Sequence, residues 1–205
     1  MRRSPHQARA VATVEAILDG AARVLVSAGF DGITTNGVAT AAGVSIGSLY
    51  QYFSNKEELV NAMMERHHAR VKALVSDGLR EYAGAPADAM ITGLIRIILE
   101  AQSTDRELYR AMRQQIPRDS RFFKLHEVLD FITELVAMAL AARKEELGIG
   151  DPYAAAFYVV NAVDGILEAA LRRGPPAGDG ETLIQEISTL VIGYLKRASQ
   201  VAPPA

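Results

Sequence analysis

Apolar residues recur every three to four positions through most of the chain, a period that predicts helices. In 9–28 the shared face carries Val14, Ile17, Leu18, Ala21, Leu25 and Ala28. In 55–82 it carries Val60, Met64, His67, Val71, Leu74, Val75 and Tyr82. Segments 87–102, 120–147, 152–172 and 180–199 repeat the pattern. Nowhere does apolar–polar alternation run long enough to predict a strand. Ala, Leu, Glu, Arg and Met dominate, all good helix formers.

Start and stop signals bracket these segments. Gly29, Gly43, Gly84, Gly148 and Gly174 each follow a periodic stretch and read as helix ends. Ser54 with Glu57, and Thr104 with Glu107, have capping-box spacing, in which hydroxyl and carboxylate satisfy two orphan N–H groups. Asp151-Pro152 pairs an acidic N-cap with a proline at the first helical position. Pro86 and Asp179 read as two further starts. The predicted product is an all-α chain of about nine helices. The loop 174–180 and the tail VAPPA fall outside them.

The stretch 32–55 differs from the rest. It holds no charged side chain, in a chain that is 22% charged. It is not apolar either, being rich in Thr, Ser, Asn, Gln, Gly and Tyr. A short helix from Thr35 to Ala42, a turn at Gly43-Val44 and a second from Ser45 to Tyr52 make a helix-turn-helix. Residues 33–59, ITTNGVATAAGVSIGSLYQYFSNKEEL, resemble the DNA-binding segment of the tetracycline-repressor (TetR) family of transcriptional regulators. The matching features are Thr35, Val38-Ala39, Ala42-Gly43-Val44-Ser45, Gly47-Ser48-Leu49-Tyr50, Tyr52-Phe53, Lys56-Glu57 and Leu59.

The resemblance implies that Thr35, Tyr50 and Lys56 contact phosphate and that 45–52 reads bases. Side-chain chemistry agrees. Thr35 would cap the second helix, and Ser45 the third. Gly47 permits close approach to the groove. Ser48 and Gln51 are short polar groups, and Gln51 suits adenine N6 and N7. Tyr50 and Tyr52 can offer hydroxyls while their rings pack. Asn36 occupies a position where some relatives place a base-contacting side chain, and Ile46 lies within the reading segment. Gly37 departs from a helical preference, at a cost of about 1 kcal/mol.

Charge refines the picture. The whole chain is at −2, with 22 basic and 24 acidic residues. Residues 1–56 are net positive and the remainder net negative, so DNA affinity is expected to need a dimer, helix N-termini and the Arg2, Arg3 and Arg9 arm. Cysteine is absent, which removes thiol and iron–sulfur chemistry. The N-terminus lacks a secretory hydrophobic core, and the longest purely apolar runs, 135–142 and 153–160, are too short to span a bilayer. A cytoplasmic location with no membrane partner is expected.

Competing motifs weigh less. Gly43-Val-Ser45-Ile-Gly47 also spells the nucleophile elbow of a serine hydrolase, but that needs a preceding strand and a parallel sheet. His67-His68 after Glu65 lacks the H-E-x-x-H spacing, so no metal site is expected.

The resemblance divides the chain into a DNA-binding domain, 1–55, and an effector-binding and dimerisation domain, 56–205. It implies an apolar ligand pocket, for which Met64, His67, Tyr109, Met112, Phe131, Met138, Phe157, Asn161 and Asp164 are candidates. Plain core is the simpler role for most of them. Asp164 differs, since a carboxylate on an apolar stripe must be paired, hydrated or bound to ligand. The last two helices, with small residues at 154–156, 162–163 and 169–170, would form a homodimer interface. The expected protein is a non-enzymatic, ligand-responsive regulator without a cofactor. It would be a repressor that releases palindromic double-stranded operator DNA when a small molecule binds. A helical interaction module that has lost DNA binding is the other non-enzymatic reading.

Overall fold

The computed structural model describes residues 5–104, 106–116, 125–174 and 179–198. Among them are ten helices and no strand, in agreement with the predicted all-α class. They are α1 (Pro5–Gly32), α2 (Thr35–Ala42), α3 (Ile46–Tyr50), α4 (Lys56–Glu81) and α5 (Ala87–Thr104). Then follow α6 (Arg106–Gln115), α7 (Leu125–Ala141), α8 (Lys144–Leu147), α9 (Pro152–Arg173) and α10 (Gly180–Ala198).

The chain forms two compact units. One comprises Met1–His67 with Asp105–Phe123, the other His68–Thr104 with Lys124–Ala205. Helix α4 belongs to both, passing from the first to the second between His67 and His68.

In the first unit, Ile17, Leu25, Val38, Leu49, Leu59 and Val60 are almost wholly excluded from solvent. The core is completed by α6, which supplies Ala111 and Met112, and by Ile116 beyond it. Helix α6 packs against α1 although nearly ninety residues separate them. Helices α1 and α2 approach closely at Gly20. A Cβ there would lie 2.9 Å from the Ala42 backbone nitrogen and 3.0 Å from the Val38 carbonyl oxygen. At Gly29 the backbone leaves the helical conformation, φ 75° and ψ 175°, so the helix breaks where the glycine was expected to end it, and the short turn to Gly32 follows the kink.

In the second unit, α7 packs on α9 and α5 on α10. Their apolar faces meet through Ile95, Leu140, Ala156, Leu167, Ile187 and Leu195. The segment expected to be one helix over 120–147 is divided. Helix α7 ends at Ala141, and α8 is a separate single turn. The Arg143 backbone between them is non-helical, at φ −117° and ψ 19°. Its guanidinium donates to the carbonyls of Tyr82, Ala83 and Ala85 beyond the end of α4.

Two caps shift by one residue from their expected positions. Thr34, not Thr35, caps α2, its hydroxyl accepting from Gly37 N at 3.0 Å. Before α4, Asn55 Oδ1 accepts from Glu58 N, and the Glu58 carboxylate accepts from the Ser54 N–H and hydroxyl. The partner is thus Glu58, not Glu57. The side chains of the Thr104–Glu107 pair lie partly outside the described residues. Asp151 and Asp179 cap α9 and α10 as anticipated.

Candidate nucleic-acid interface

The helix-turn-helix is built by local chemistry. Gly43 takes the left-handed conformation, φ 68°, which glycine enters without a Cβ penalty. Its N–H and that of Val44 return to the carbonyls of Thr40 and Ala39, closing the end of α2. Ser45 then caps α3, its Oγ accepting from Ser48 N at 3.0 Å. Leu49 is fully buried and Phe53 nearly so, which fixes the face α3 turns inward. Arg23 of α1 donates to Ala41 O and holds the turn from behind.

The opposite face is open. Asn36, Ser45, Ile46, Gly47, Tyr50 and Gln51 are exposed, while Thr35, Ser48 and Tyr52 are half-buried. A Cβ at Gly47 would meet nothing closer than Ser45 Oγ at 3.9 Å. The Thr35 and Tyr50 hydroxyls stand within hydrogen-bond distance of each other, and so do those of Ser45 and Ser48. The ten residues expected at DNA thus gather on α2, α3 and the start of α4.

Lys56 differs from its expected role. Its Nζ donates to Phe30 O at 2.8 Å and sits 4.7 Å from the centroid of the Phe30 ring. It joins the start of α4 to the end of α1, and the residue is half-buried. Sequence reasoning missed this tie, which spans 26 positions. A second tie joins the same two helices. Arg66 Nη1 lies 2.7 Å from Glu15 Oε2, and Nη2 lies 2.8 Å from Asp19 Oδ1. Arg2 and Arg3 lie outside the described residues, and Arg9 is exposed on α1.

Ser45 in the GVSIG stretch is a helix cap, with no strand among the described residues. That is not the setting of a nucleophile elbow.

The nine candidate ligand residues are shared between the two units. Met64, His67, Tyr109 and Met112 belong to the first unit. There the His67 and Tyr109 rings lie 5.9 Å apart, and the largely buried Arg113 guanidinium is 5.9 Å from the Tyr109 centroid. Phe131 is in the second unit, with Lys72 Nζ 4.9 Å from its ring centre. Met138 and Phe157 are exposed, as is Asn161, whose amide donates to Phe157 O. Exposed positions do not line an enclosed pocket. Asp164 is half-buried on α9 and has a partner.

Helix α9 carries an uncovered apolar face. Tyr153, Phe157 and Tyr158 are each at least half exposed, as is Leu190 on α10. Phe157 meets Tyr158 edge-on, and Tyr158 meets Tyr194 across to α10. Gly165 and Gly193 are exposed beside open space. By contrast Ala155, Ala156 and Ala170, expected to ease close approach of a second copy, are buried within the chain's own core. Helix α9 is long and apolar enough to cross a membrane by length and composition, and 28% of its most apolar window is buried.

Comparison with known proteins places this geometry. Residues 17–63 match the family model of bacterial regulatory proteins of the tetR family. Residues 86–195 match that of the tetracyclin repressor-like C-terminal domain. An uncharacterised HTH-type transcriptional regulator in the dhlA 5′ region of Xanthobacter autotrophicus is 30% identical over 103 residues. That stretch covers 50% of this chain and 51% of the relative, so the match spans about half the relative's length. Among solved structures, a TetR-family transcriptional regulator from Streptomyces coelicolor is 27% identical with a TM-score of 0.64. It aligns over 91% of this chain and 99% of its own. The fatty acid degradation regulator FadR of Bacillus halodurans shares the fold at TM-score 0.74 and 20% identity, over 94% and 97% of the two chains. FadR of Bacillus subtilis, solved in complex with stearoyl-CoA, shares it at 0.72 and 17%, over 87% and 97%.

Proposed function

The chain belongs to the tetR family of bacterial regulatory proteins, and from that we propose that it is a ligand-responsive transcriptional regulator that binds operator DNA. The observation that carries the reading is the exposed, uncharged face of α2 and α3, held by a Gly43 turn and a Ser45 cap. Residues 1–55 do the binding. Thr35 and Tyr50 serve a phosphate, and Asn36, Ser45, Gly47, Ser48, Gln51 and Tyr52 lie along the groove. Lys56 sets α4 against α1 and has protons left for the backbone.

Residues 56–205 bind an effector and dimerise. One five-residue helix reads few base pairs, whereas a two-fold dimer reads two half-sites about 34–36 Å apart. The uncovered face of α9 and α10 supports that dimer, with Phe157, Tyr158 and Leu190 packing against a second copy. Sedimentation checks it: Phe157→Asp should give monomers where the parent gives dimers.

Of the candidate effector residues, His67, Tyr109 and Met112 keep that role because they sit together with Met64 beside α4. An effector that prefers one placement of α4 shifts the population of dimers whose α3 helices match successive grooves. Release on binding makes the protein a repressor. The stearoyl-CoA in the Bacillus subtilis FadR structure makes a long-chain acyl-CoA the first compound to test.

The deciding experiment is a selection of genomic fragments at low and moderate salt. Recovery of one palindromic sequence, with affinity falling steeply as salt rises, is expected. Recovery of no preferred sequence refutes the reading.

A further inference from the structure

We propose that Ile46 reads the 5-methyl group of a thymine, so that the base pairs read by α3 are A·T. This rests on the DNA-binding reading above. Ile46 opens α3 and is 37% exposed, whereas the other large aliphatic side chains between Ile33 and Phe53 are buried or half-buried. It is an unsupported aliphatic group on the face left open for the duplex. Its branched Cβ restricts χ1, so the methyls it presents are well placed. The ground beside it is clear, because Gly47 has no side chain.

The rest of the segment narrows the choice. Guanine is read in the major groove by Arg or Lys, and cytosine by Asp or Glu. None of these occurs between Gly32 and Asn55. The nearest cations are engaged elsewhere, Arg23 with Ala41 O and Lys56 with Phe30 O. What α3 and its turn can offer is the Gln51 amide for an adenine edge and Ile46 for the one apolar mark in the groove, the thymine methyl. The Ser45 and Ser48 hydroxyls face each other and add no discrimination between base pairs.

Deoxyuridine removes that methyl and leaves every hydrogen-bonding group of the base in place, and it cannot perturb the fold of the protein. The selected operator is made with each thymine replaced in turn by deoxyuridine. Binding to the parent protein and to Ile46→Ala is read by fluorescence anisotropy at one salt concentration. One position per half-site should lose about fourfold, and about fifteenfold when both halves are changed. Ile46→Ala should lose a comparable factor on the thymine operator and be indifferent to uracil at that position alone. Equal binding of uracil and thymine at every position overturns the proposal, as does a penalty that persists in Ile46→Ala; in both cases the DNA-binding reading stands. Failure of the fragment selection itself removes that reading and this proposal together.

Discussion

The hydroxyls of Thr35 and Tyr50 stand 3.2 Å apart, joining the first residue of α2 to the last of α3. Fifteen positions separate them in the chain, and the turn at Gly43 brings them together. One hydroxyl donates its proton to the other, and the accepting hydroxyl keeps its own proton for an incoming phosphate oxygen. The pair is one polar feature made from two helices.

Removing one member tests it. Tyr50→Phe keeps the ring and deletes the hydroxyl, so binding should weaken by roughly tenfold per half-site on all sequences alike. The dependence on salt should stay the same, because a neutral group releases no counterion. Titrations at three salt concentrations check both points. A loss confined to particular bases would contradict a phosphate role.

Lys56 should behave differently. Its bond to Phe30 O and its place over the Phe30 ring link α1 and α4. Lys56→Met removes both interactions, and about 1–2 kcal/mol of stability should go with them. Calorimetry should show a drop of roughly 2–8 °C in Tm. An unchanged Tm with a salt slope lowered by about one per half-site would make Lys56 a plain phosphate contact.

Gly20 allows α1 and α2 to touch. An added methyl would press on the Ala42 backbone and the Val38 carbonyl, neither of which can swing aside. Gly20→Ala should cost about 1–3 kcal/mol by overpacking. Chemical denaturation measures the loss.

Acid should loosen both units. The Ser54 hydroxyl and N–H hold the Glu58 carboxyl below its ordinary value of 4.5. Arg96 does the same for Glu181, and the Thr182 N–H and hydroxyl for Asp179. A lowered carboxylate pKa contributes stability that is whole above the unfolded value and lost as pH falls through the folded one. Tm should therefore hold near neutrality and decline below about pH 4.5. The decline should be shallower in Glu58→Gln and Glu181→Gln.

These features differ in how legible they were from sequence. The helix-turn-helix depends on neighbours: a glycine that can take positive φ, a serine three residues before the N–H it caps, and Leu49 and Phe53 four apart. Local rules reach that far, with errors of one residue at Thr34 and Asn55, where adjacent polar side chains compete for one cap. Long-range contacts were invisible. Nothing in 106–116 announces that Met112 and Ile116 complete the core of the first unit. Arg143, which reaches back some sixty positions, ends α7 where periodicity runs on. The candidate ligand residues share residue types and lie on separate stripes, and the fold distributes them between two units and the surface. The alanines of α9 show the same limit, since a small residue serves an internal contact as readily as an external one.

The absence of charge from 32–55 also bears on how such a regulator is shared out inside a cell. A chromosome offers about 10⁶–10⁹ competing sites, and the hold of those sites on a protein comes from charge. A reading surface with neither Lys nor Arg adds little to that hold. On the function proposed above, the chromosome should then be a shallow reservoir that detains few copies, so that a small pool of regulator keeps an operator occupied.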